Sequence, residues 1–291
     1  MKILLLGKNG QVGWELQRSL APLGELIALD RNVVDGFCGD LSDLEGLRAT
    51  IRQVKPDVIV NAAAYTAVDK AESETELADR VNGQASRIMA EEACRLDALL
   101  VHYSTDYVFN GEGSSPWLET DAVSPVNRYG ASKLEGENAI IASACKYLIF
   151  RTSWVYGARG NNFAKTMLRL ALDRETLNVI NDQIGAPTGA DLIADVTALA
   201  IRQVLHRPEL LGLYHLAAGG EVSWHGYAGH VIAFAQANGE QLAVKAVNPI
   251  STSAYPTPSV DPASTENKVL AGRCDDCVFT FKLARTVSIH W

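Results

Sequence analysis

Long hydrophobic runs and clusters of positive charge are both missing from this 291-residue sequence. No stretch approaches the roughly 20 apolar residues that span a bilayer, and the apolar run after Met1 is too short for a signal peptide. Acidic side chains outnumber basic ones by 34 to 26, for a formal charge of −8. Nucleic acids and anionic membranes are bound through clustered Lys and Arg. We therefore expect no nucleic-acid partner and no membrane partner, although local basic groups could still bind an anionic substrate.

Cysteine is also scarce. The five cysteines are odd in number and show no framework spacing, which favours reduced thiols in a cytoplasmic protein. Cys274 and Cys277 alone are spaced like a metal or redox pair. A zinc site would need two further ligands, and a redox pair normally opens a helix after a strand. Because neither context is visible, we interpret these two as ordinary cysteines.

What the sequence does contain is an alternation of strand-length apolar segments with helix-length amphipathic ones, which predicts a parallel sheet covered on both faces. Right-handed crossovers then give a Rossmann-like, doubly wound α/β sheet with its site at the carboxyl ends of the strands. The predicted strands cover residues 2–6, 26–29, 58–62, 99–103, 148–152 and 214–217. The predicted helices cover residues 10–20, 78–95, 129–142, 163–172 and 192–205.

The pattern becomes more mixed after about residue 157, and this change predicts the domain organisation. We expect a dinucleotide-binding domain over 1–156. A smaller substrate-binding lobe over 157–258 is interleaved with it and closes over a cleft. No internal repeat or low-complexity linker separates the two. Residues 259–291 are expected to form an atypical, poorly ordered tail.

Three glycines, Gly7, Gly10 and Gly13, lie between the first predicted strand and the first helix. A tight turn, a close approach of the backbone to a pyrophosphate and close packing of the helix on the sheet each require a residue without a side chain. Gln11 and Val12 lie within this turn, where the helix N-terminus offers unpaired N–H groups. The pattern predicts a dinucleotide site.

Asp30 ends the second predicted strand, at about the spacing of an acid that binds the adenosine ribose hydroxyls. Its carboxylate favours NADH, but the adjacent Arg31 could bind the extra phosphate of NADPH, so the choice stays open. Two further segments are candidates for cofactor binding, with simple strand-end packing as the alternative: Asp40 and Leu41 beside the adenine, and Ala62, Ala63 and Ala64 where the cofactor passes the backbone.

Tyr129 and Lys133 are four residues apart, so they share one face of the predicted helix. Reduction of a ketone needs a proton at the oxygen as hydride reaches the carbon, and a phenol with a pKa near 10 is a poor donor at neutrality. A neighbouring ammonium stabilises the phenolate and lowers the phenol pKa. The spacing alone is common by chance; its position after the glycine turn favours catalysis.

Ser104, Thr105 and Asp106 directly follow a predicted strand, at the edge where a ligand would lie. A hydroxyl there could hold a substrate carbonyl near Tyr129. We assign this role to Thr105 rather than Ser104 and expect Asp106 beside the substrate. His102, inside the same apolar strand, is interpreted as a packed core residue rather than a base.

The glycine turn, taken with Tyr129 and Lys133, resembles the extended short-chain dehydrogenase/reductase family. Within that family the chain is similar to reductases of dTDP-linked 4-keto sugars over residues 1 to about 258. Segments 61–72, 104–109, 151–156, 160–163 and 181–188 carry the narrower resemblance. The tail after residue 258 departs from the family pattern and looks as if it had been replaced.

The resemblance implies reduction of the 4-keto group of dTDP-6-deoxy-L-lyxo-4-hexulose to dTDP-L-rhamnose, with hydride from NADPH or NADH. Tyr129 would donate the proton. Lys133 would bind the nicotinamide ribose and tune Tyr129, while Thr105 would orient the ketone.

The same resemblance implies contacts in the second half of the chain. Trp154 would pack against the sugar, although core packing is an alternative, and Asn162 and Phe163 would lie near the nucleotide portion. Family members form a magnesium-linked homodimer through acidic residues. Asp191 matches one such position, but the tail offers no convincing partner, so we expect weakened dimerisation.

Two other functions stay open. A sugar-nucleotide epimerase shares this fold, cofactor and Tyr–Lys chemistry, but it retains its cofactor, whereas a reductase consumes free NAD(P)H. A non-catalytic, NADP-binding regulatory subunit, such as the reductase-like partner of methionine adenosyltransferase, would not need Thr105, Tyr129 and Lys133 intact.

Overall fold

The computed structural model describes residues 1–112 and 115–255. The predicted tail over 259–291, together with Cys274 and Cys277, lies outside these residues. The strands are β1 Lys2–Leu6, β2 Glu25–Leu29, β3 Val58–Asn61, β4 Leu99–Thr105, β5 Lys146–Thr152, β6 Val155–Tyr156, β7 Thr176–Ile180, β8 Ile184–Gly185, β9 Thr188–Gly189, β10 Gly212–His215, β11 Val222–Ser223 and β12 Ala246–Ile250.

The helices cover both faces of the main sheet and build the smaller lobe. They are α1 Gln11–Leu20, α2 Leu44–Val54, α3 Val68–Ala71, α4 Thr75–Ala78, α5 Ala85–Leu96, α6 Arg128–Ala142, α7 Phe163–Asp173, α8 Ala190–Val204 and α9 Trp224–Ala237. A π-helical segment, Asp79–Gln84, joins α4 to α5 within the long helix predicted there. No helix of the described residues has the length and apolar character needed to cross a membrane.

Six parallel strands form the main sheet, in the order β10-β5-β4-β3-β1-β2. Successive side chains of a strand point to opposite faces, so each apolar strand contributes to two cores. In β1, Ile3 and Leu5 join the core under α1 and α8, while Leu4 and Leu6 join the core under α2 and α5. The predicted Rossmann-like, doubly wound fold is confirmed.

The sheet has its topological switch point between β1 and β3. The chain runs from β1 to β2 at one edge and then returns past β1 to β3 on the other side. Ligands of doubly wound sheets bind at the carboxyl ends of the strands at this point. Gly7 follows β1 and Ala62 follows β3, so the fold brings both predicted cofactor segments to the switch point.

A smaller core lies in the second half of the chain, where α7 and α9 pack on the β7–β12 pair. Two elements between them belong to the main sheet instead: α8 packs on α1, and β10 pairs with β5. The two cores therefore interleave along the sequence. The boundaries of the predicted domains stay a prediction.

The strands predicted from apolar runs form within a few residues of their expected bounds, because burial on both faces leaves a local signal in the sequence. Helix α2, helix α9 and the β7–β12 pair were not predicted. The pair joins Thr176 to Ala246, 70 residues apart, and its exposed strand positions interrupt the apolar pattern.

Candidate active site

The turn between β1 and α1, residues 7–13, is called the cofactor turn below. A Cβ on Gly7, which has φ +87°, would lie 2.7 Å from the Ala63 nitrogen. A Cβ on Gly13 would lie 2.0 Å from the Gly7 carbonyl oxygen. Gly10 is the N-cap of α1 and supplies no side-chain cap. The first N–H groups of α1 therefore lie beside a turn in which no side chain blocks the backbone. Such an arrangement can bind a pyrophosphate.

Gln11 and Val12 open α1 with opposite roles. Val12 packs against the sheet core. The Gln11 amide nitrogen donates to the Val155 carbonyl oxygen at 3.3 Å, and its oxygen accepts from Asn162 Nδ2 at 3.0 Å. The cofactor turn is thus hydrogen-bonded to the chain leading into α7.

Asp30 follows β2 at the edge of the cofactor turn. Its carboxylate accepts from Asn9 Nδ2 at 2.5 Å and from the Asn32 backbone at 2.8 Å, and it lies 3.8 Å from Lys8 Nζ. Arg31 is exposed. The acid is held in position for a ribose. Lys8 is its cationic neighbour in space, and Arg31 is its cationic neighbour in the sequence.

The other predicted cofactor residues lie along the same edge of the sheet. Gly39 packs so closely that a Cβ there would lie 2.3 Å from the Asp30 carbonyl oxygen, which brings the following Asp40 and Leu41 to Asp30. The Asp40 carboxylate accepts from the backbone and hydroxyl of Ser42, and Leu41 is buried. After β3, Ala62 and Ala63 are half-buried against the cofactor turn, whereas Ala64 is exposed.

Tyr129 lies in the first turn of α6, where Asn127 caps the helix by accepting from the Gly130 backbone at 2.8 Å. Its hydroxyl lies close enough to Thr105, at the end of β4, for the Thr105 side chain to lower the pKa of Tyr129. Thr105 in turn donates to Asp106 Oδ1 at 3.0 Å. Ser104 is buried, and its hydroxyl has no hydrogen-bond partner among the described residues. Of the two hydroxyls, it is Thr105 that meets Tyr129.

The acidity of Tyr129 differs from the expectation. Burial, together with the negative charge of Asp106, raises the pKa of Tyr129 to about 12, and the Thr105 side chain lowers it only partly. Lys133 is not among the causes of this shift. Lys133 Nζ donates to the Tyr103 carbonyl oxygen at 2.6 Å.

Lys133 lies one turn beyond Tyr129 and is 2% exposed. Burial lowers the pKa of Lys133 to about 8, against the opposing effect of the Glu137 carboxylate one turn further along α6. Glu137 itself forms a buried, two-pronged ion pair with Arg151 of β5. His102 is in the core, as predicted, but its Nε2 lies 3.2 Å from Lys133 Nζ.

Four aromatic side chains, called the aromatic cluster below, gather at the entrance to the smaller lobe: Trp154, Phe163, Trp224 and Tyr227. The rings of Trp154 and Trp224 are stacked with centroids 3.4 Å apart, and Phe163 contacts both Trp224 and Tyr227. Trp154 has φ +48°, a conformation that non-glycine residues rarely adopt. A Cβ on Gly185 would lie 2.2 Å from the Trp154 indole.

Trp224 and Tyr227 were not predicted as site residues. They stand three apart in a helix otherwise rich in Ala and Gly and capped by Ser223, so they share a face. That spacing was a usable signal. The helix itself, however, was not predicted, and so neither was the shared face.

Asn162 and Asp191 differ in how closely they are tied to the site. Asn162 caps α7 by accepting from the Lys165 backbone, and its amide nitrogen donates to Gln11 and Gly157. Asp191 is exposed in the first turn of α8 near Tyr156. No group of three or more His, Cys, Asp or Glu side chains able to hold a metal occurs in residues 1–112 and 115–255. Magnesium binding stays a prediction.

A Rossmann-like sheet with a backbone cradle at its switch point and a Tyr–Lys pair beside it defines an NAD(P)H-dependent oxidoreductase. A family model described as the RmlD substrate binding domain matches residues 1–272. A dTDP-4-dehydrorhamnose reductase of Salmonella typhimurium is 60% identical over 265 residues, 91% of this chain and 88% of that one. The enzyme of the same name from Escherichia coli K12 is 58% identical over 90% of this chain and 87% of its own length.

A solved structure gives the same result at lower identity. It is a dTDP-4-dehydrorhamnose reductase from Bacillus anthracis in complex with NADP. It is 33% identical, covers 94% of this chain and 90% of that chain, and has a TM-score of 0.80. The chain belongs to the dTDP-4-dehydrorhamnose reductase family.

Proposed function

We propose that this enzyme reduces the 4-keto group of dTDP-6-deoxy-L-lyxo-4-hexulose to give dTDP-L-rhamnose, using NADPH or NADH. The observation that carries the proposal is the position of Thr105 at the carboxyl end of β4, close enough to Tyr129 to lower the pKa of its hydroxyl. Two hydroxyls from different elements converge there beside the cofactor edge of the sheet. The names of the relatives support the substrate.

A reduced nicotinamide cofactor, with its pyrophosphate held by the cofactor turn, would supply the hydride. Tyr129 gives its proton to the ketone oxygen, and a pKa near 12 keeps that proton in place until the oxygen gains charge. Thr105 orients the ketone by turning its hydroxyl proton from Asp106 to the ketone oxygen, while its Oγ1 stays held by the Tyr107 backbone N–H. Lys133 would hold the nicotinamide ribose, and its ammonium form would stabilise the Tyr129 phenolate that forms in the reaction, although it does not lower the pKa of the resting phenol.

The substrate lies, in this proposal, between Tyr129 and the aromatic cluster. The half-buried indole of Trp154 gives a deoxysugar a flat apolar surface. Phe163 extends this surface toward the nucleotide. Asn162 contributes by fixing the start of α7 against Gln11, and Asp106 borders the ketone through Thr105.

Three further properties follow from the family and stay proposals. The cationic Lys8 and Arg31 around Asp30 make both NADH and NADPH acceptable. Asp191 takes part in a magnesium-linked homodimer, which the unusual tail weakens. The enzyme works in the cytoplasm.

The test is oxidation of NADPH and NADH, followed at 340 nm, with enzymatically prepared dTDP-4-keto-6-deoxy-L-sugar. Tyr129→Phe removes the proton donor and should lower kcat by about 100-fold to 10,000-fold. Tyr107→Phe is a matched control, because Tyr107 stacks edge-on against Tyr129 on the same side of the site.

The alternatives give different results in the same assay. An epimerase would interconvert sugars without net consumption of added NAD(P)H. A regulatory subunit would bind cofactor, and Tyr129→Phe would leave its function intact. Either result would contradict the proposal.

A further inference from the structure

Three buried side chains, Asn61, His102 and Lys133, form a row that leads from β3 across β4 to α6. Asn61 and His102 are register partners on adjacent strands and are 2% and 1% exposed. Asn61 Nδ2 lies 3.1 Å from His102 Nδ1, and His102 Nε2 lies 3.2 Å from Lys133 Nζ. No hydrogen bond joins His102 to Tyr129 among the described residues, so the effect of His102 on catalysis passes through Lys133.

A hydrogen bond from the backbone fixes which atoms of this row donate and which accept. The Ala63 N–H donates to Asn61 Oδ1 at 3.2 Å. Exchanging the oxygen and nitrogen of Asn61 would bring two donors together at Ala63. The Asn61 amide nitrogen therefore donates to His102 Nδ1.

The tautomer of His102 follows from its charge and from its hydrogen bond with Asn61. Burial, together with the charge of Lys133, lowers the pKa of His102 well below its usual value, so the ring is neutral and carries one proton. Since Nδ1 is an acceptor, that proton is on Nε2, the nitrogen that faces Lys133. A ring N–H that points at an amine nitrogen can donate a hydrogen bond to the lone pair of the free base, but it is repelled by an ammonium ion.

We propose that Asn61 and His102 are positioning residues for Lys133, with Asn61 fixing the Nε2–H tautomer of His102 and His102 favouring the free-base form of the lysine. The inference rests on the proposed role of Lys133 beside Tyr129. On this proposal, Lys133 does more than supply a fixed positive charge. A lysine that titrates near neutrality can give a proton from its ammonium form, by way of solvent, to the Tyr129 phenolate left after each reduction, and the free amine then takes up a proton from the buffer.

Other charged groups near Lys133 act differently. Glu137 on α6 favours the ammonium form, and its charge is shared with Arg151 of β5. Asp106 acts on Tyr129, and the Asp79–Arg128 pair lies at the first residue of α6. Among these groups, only His102 has a nitrogen in contact with Lys133 Nζ, alongside the Tyr103 carbonyl oxygen.

The first measurement uses the unmodified enzyme without substrate. Two-bond ¹H–¹⁵N spectra of the histidine rings distinguish the two neutral tautomers, and the missing signal in His102→Gln assigns His102. We expect the proton on Nε2. A proton on Nδ1 would overturn the proposal, whether or not the protein proves to be a reductase.

The second measurement is the pH profile of kcat/KM. In His102→Gln, an amide free of Asn61 can turn its oxygen to the ammonium of Lys133, so the alkaline limb should move up by about one pH unit. His215→Gln makes the same change at a buried histidine of β10 and should leave the limb in place. A limb that is unmoved or lower in His102→Gln would contradict the role assigned to His102. If that variant does not fold, single substitutions of the other five histidines assign His102 by elimination, and the tautomer of the unmodified enzyme decides alone.

Discussion

In the proposed function, the cofactor turn and the aromatic cluster lie at opposite sides of one cleft, and they are built by opposite means. The cofactor turn works because Gly7 and Gly13 have no side chains, so backbone can approach backbone and ligand. The aromatic cluster works through large side chains, and its central contact joins Trp154 to Trp224, 70 residues apart. Where backbone packs on backbone, even one added methyl group does not fit. A surface of aromatic rings, in contrast, can be changed one side chain at a time.

The largest effect is expected from Gly13→Ala. The added methyl would lie 2.0 Å from the Gly7 carbonyl oxygen, so the turn must open. We expect a loss of about 3 kcal/mol in the free energy of unfolding and at least about 100-fold weaker NADPH binding. Chemical denaturation and titration calorimetry measure the two effects.

Gly229→Ala is the matched control, because Gly229 is also helical but has open space around its Cβ position. Alanine there should stabilise the protein by up to about 1 kcal/mol. Equal effects of the two substitutions would mean that the cofactor turn has no special need for glycine.

A fall in pH should lower the free energy of unfolding, through a buried histidine on β10 at the edge of the main sheet. Burial is the main cause that lowers the pKa of His215 on β10 to about 4. An unfolded histidine binds its proton near pH 6.5, so between pH 6.5 and 4 the unfolded state binds more protons than the folded state. Stability is therefore full above pH 6.5 and falls by roughly 2–3 kcal/mol as the pH drops to 4.

His215→Asn tests this effect, because its amide can still donate to the Trp117 carbonyl oxygen that Nδ1 now contacts, but it does not titrate. Denaturation curves between pH 4 and 7 should show a smaller slope in this variant. The exposed His206→Asn should keep the slope of the unmodified enzyme. If His215→Asn keeps it as well, the acid sensitivity comes from elsewhere.

Gly185→Ala should affect the aromatic cluster and spare the cofactor turn. The new methyl would lie 2.2 Å from the Trp154 indole and must push it out of its stack with Trp224. We expect KM for the dTDP-sugar to rise about 10-fold, a loss of roughly 1.4 kcal/mol, with KM for NADPH nearly unchanged. Steady-state kinetics with each substrate varied in turn separate the two. A rise confined to NADPH would reverse the assignment of the two sides.

The same contrast explains what the sequence could predict. The strands and the cofactor turn were predictable because their signals are local: apolar runs, and glycines at fixed spacing after a strand. The positions of Tyr129 and Lys133 on one face of α6 follow from helix periodicity alone. Trp224, Tyr227 and the β7–β12 pair were missed because their contacts join distant segments. The contact between His102 and Lys133 was missed for the same reason, although the burial of His102 was predicted correctly.

The smallest effect concerns Asn162, which belongs to both sides of the cleft. Its oxygen caps α7 below the aromatic cluster, and its amide nitrogen donates to Gln11 of the cofactor turn. Asn162→Ala removes these contacts and the bond to the Gly157 carbonyl oxygen, and it should lower the free energy of unfolding by about 1 kcal/mol. Asn162→Ser keeps a side-chain cap and loses the bonds of the amide nitrogen to Gln11 and to Gly157, so its stability should fall by a few tenths of a kcal/mol.

The pair of Asn162 variants separates capping from coupling between the two regions. If the Gln11 contact couples them, Asn162→Ser should raise KM for NADPH and for the dTDP-sugar together, by about 2-fold, while its melting temperature stays near that of the unmodified enzyme. A change in only one KM would mean that the cofactor turn and the aromatic cluster respond independently. In that case the hydrogen bond between Asn162 and Gln11 joins two regions that share a cleft without influencing each other's ligand.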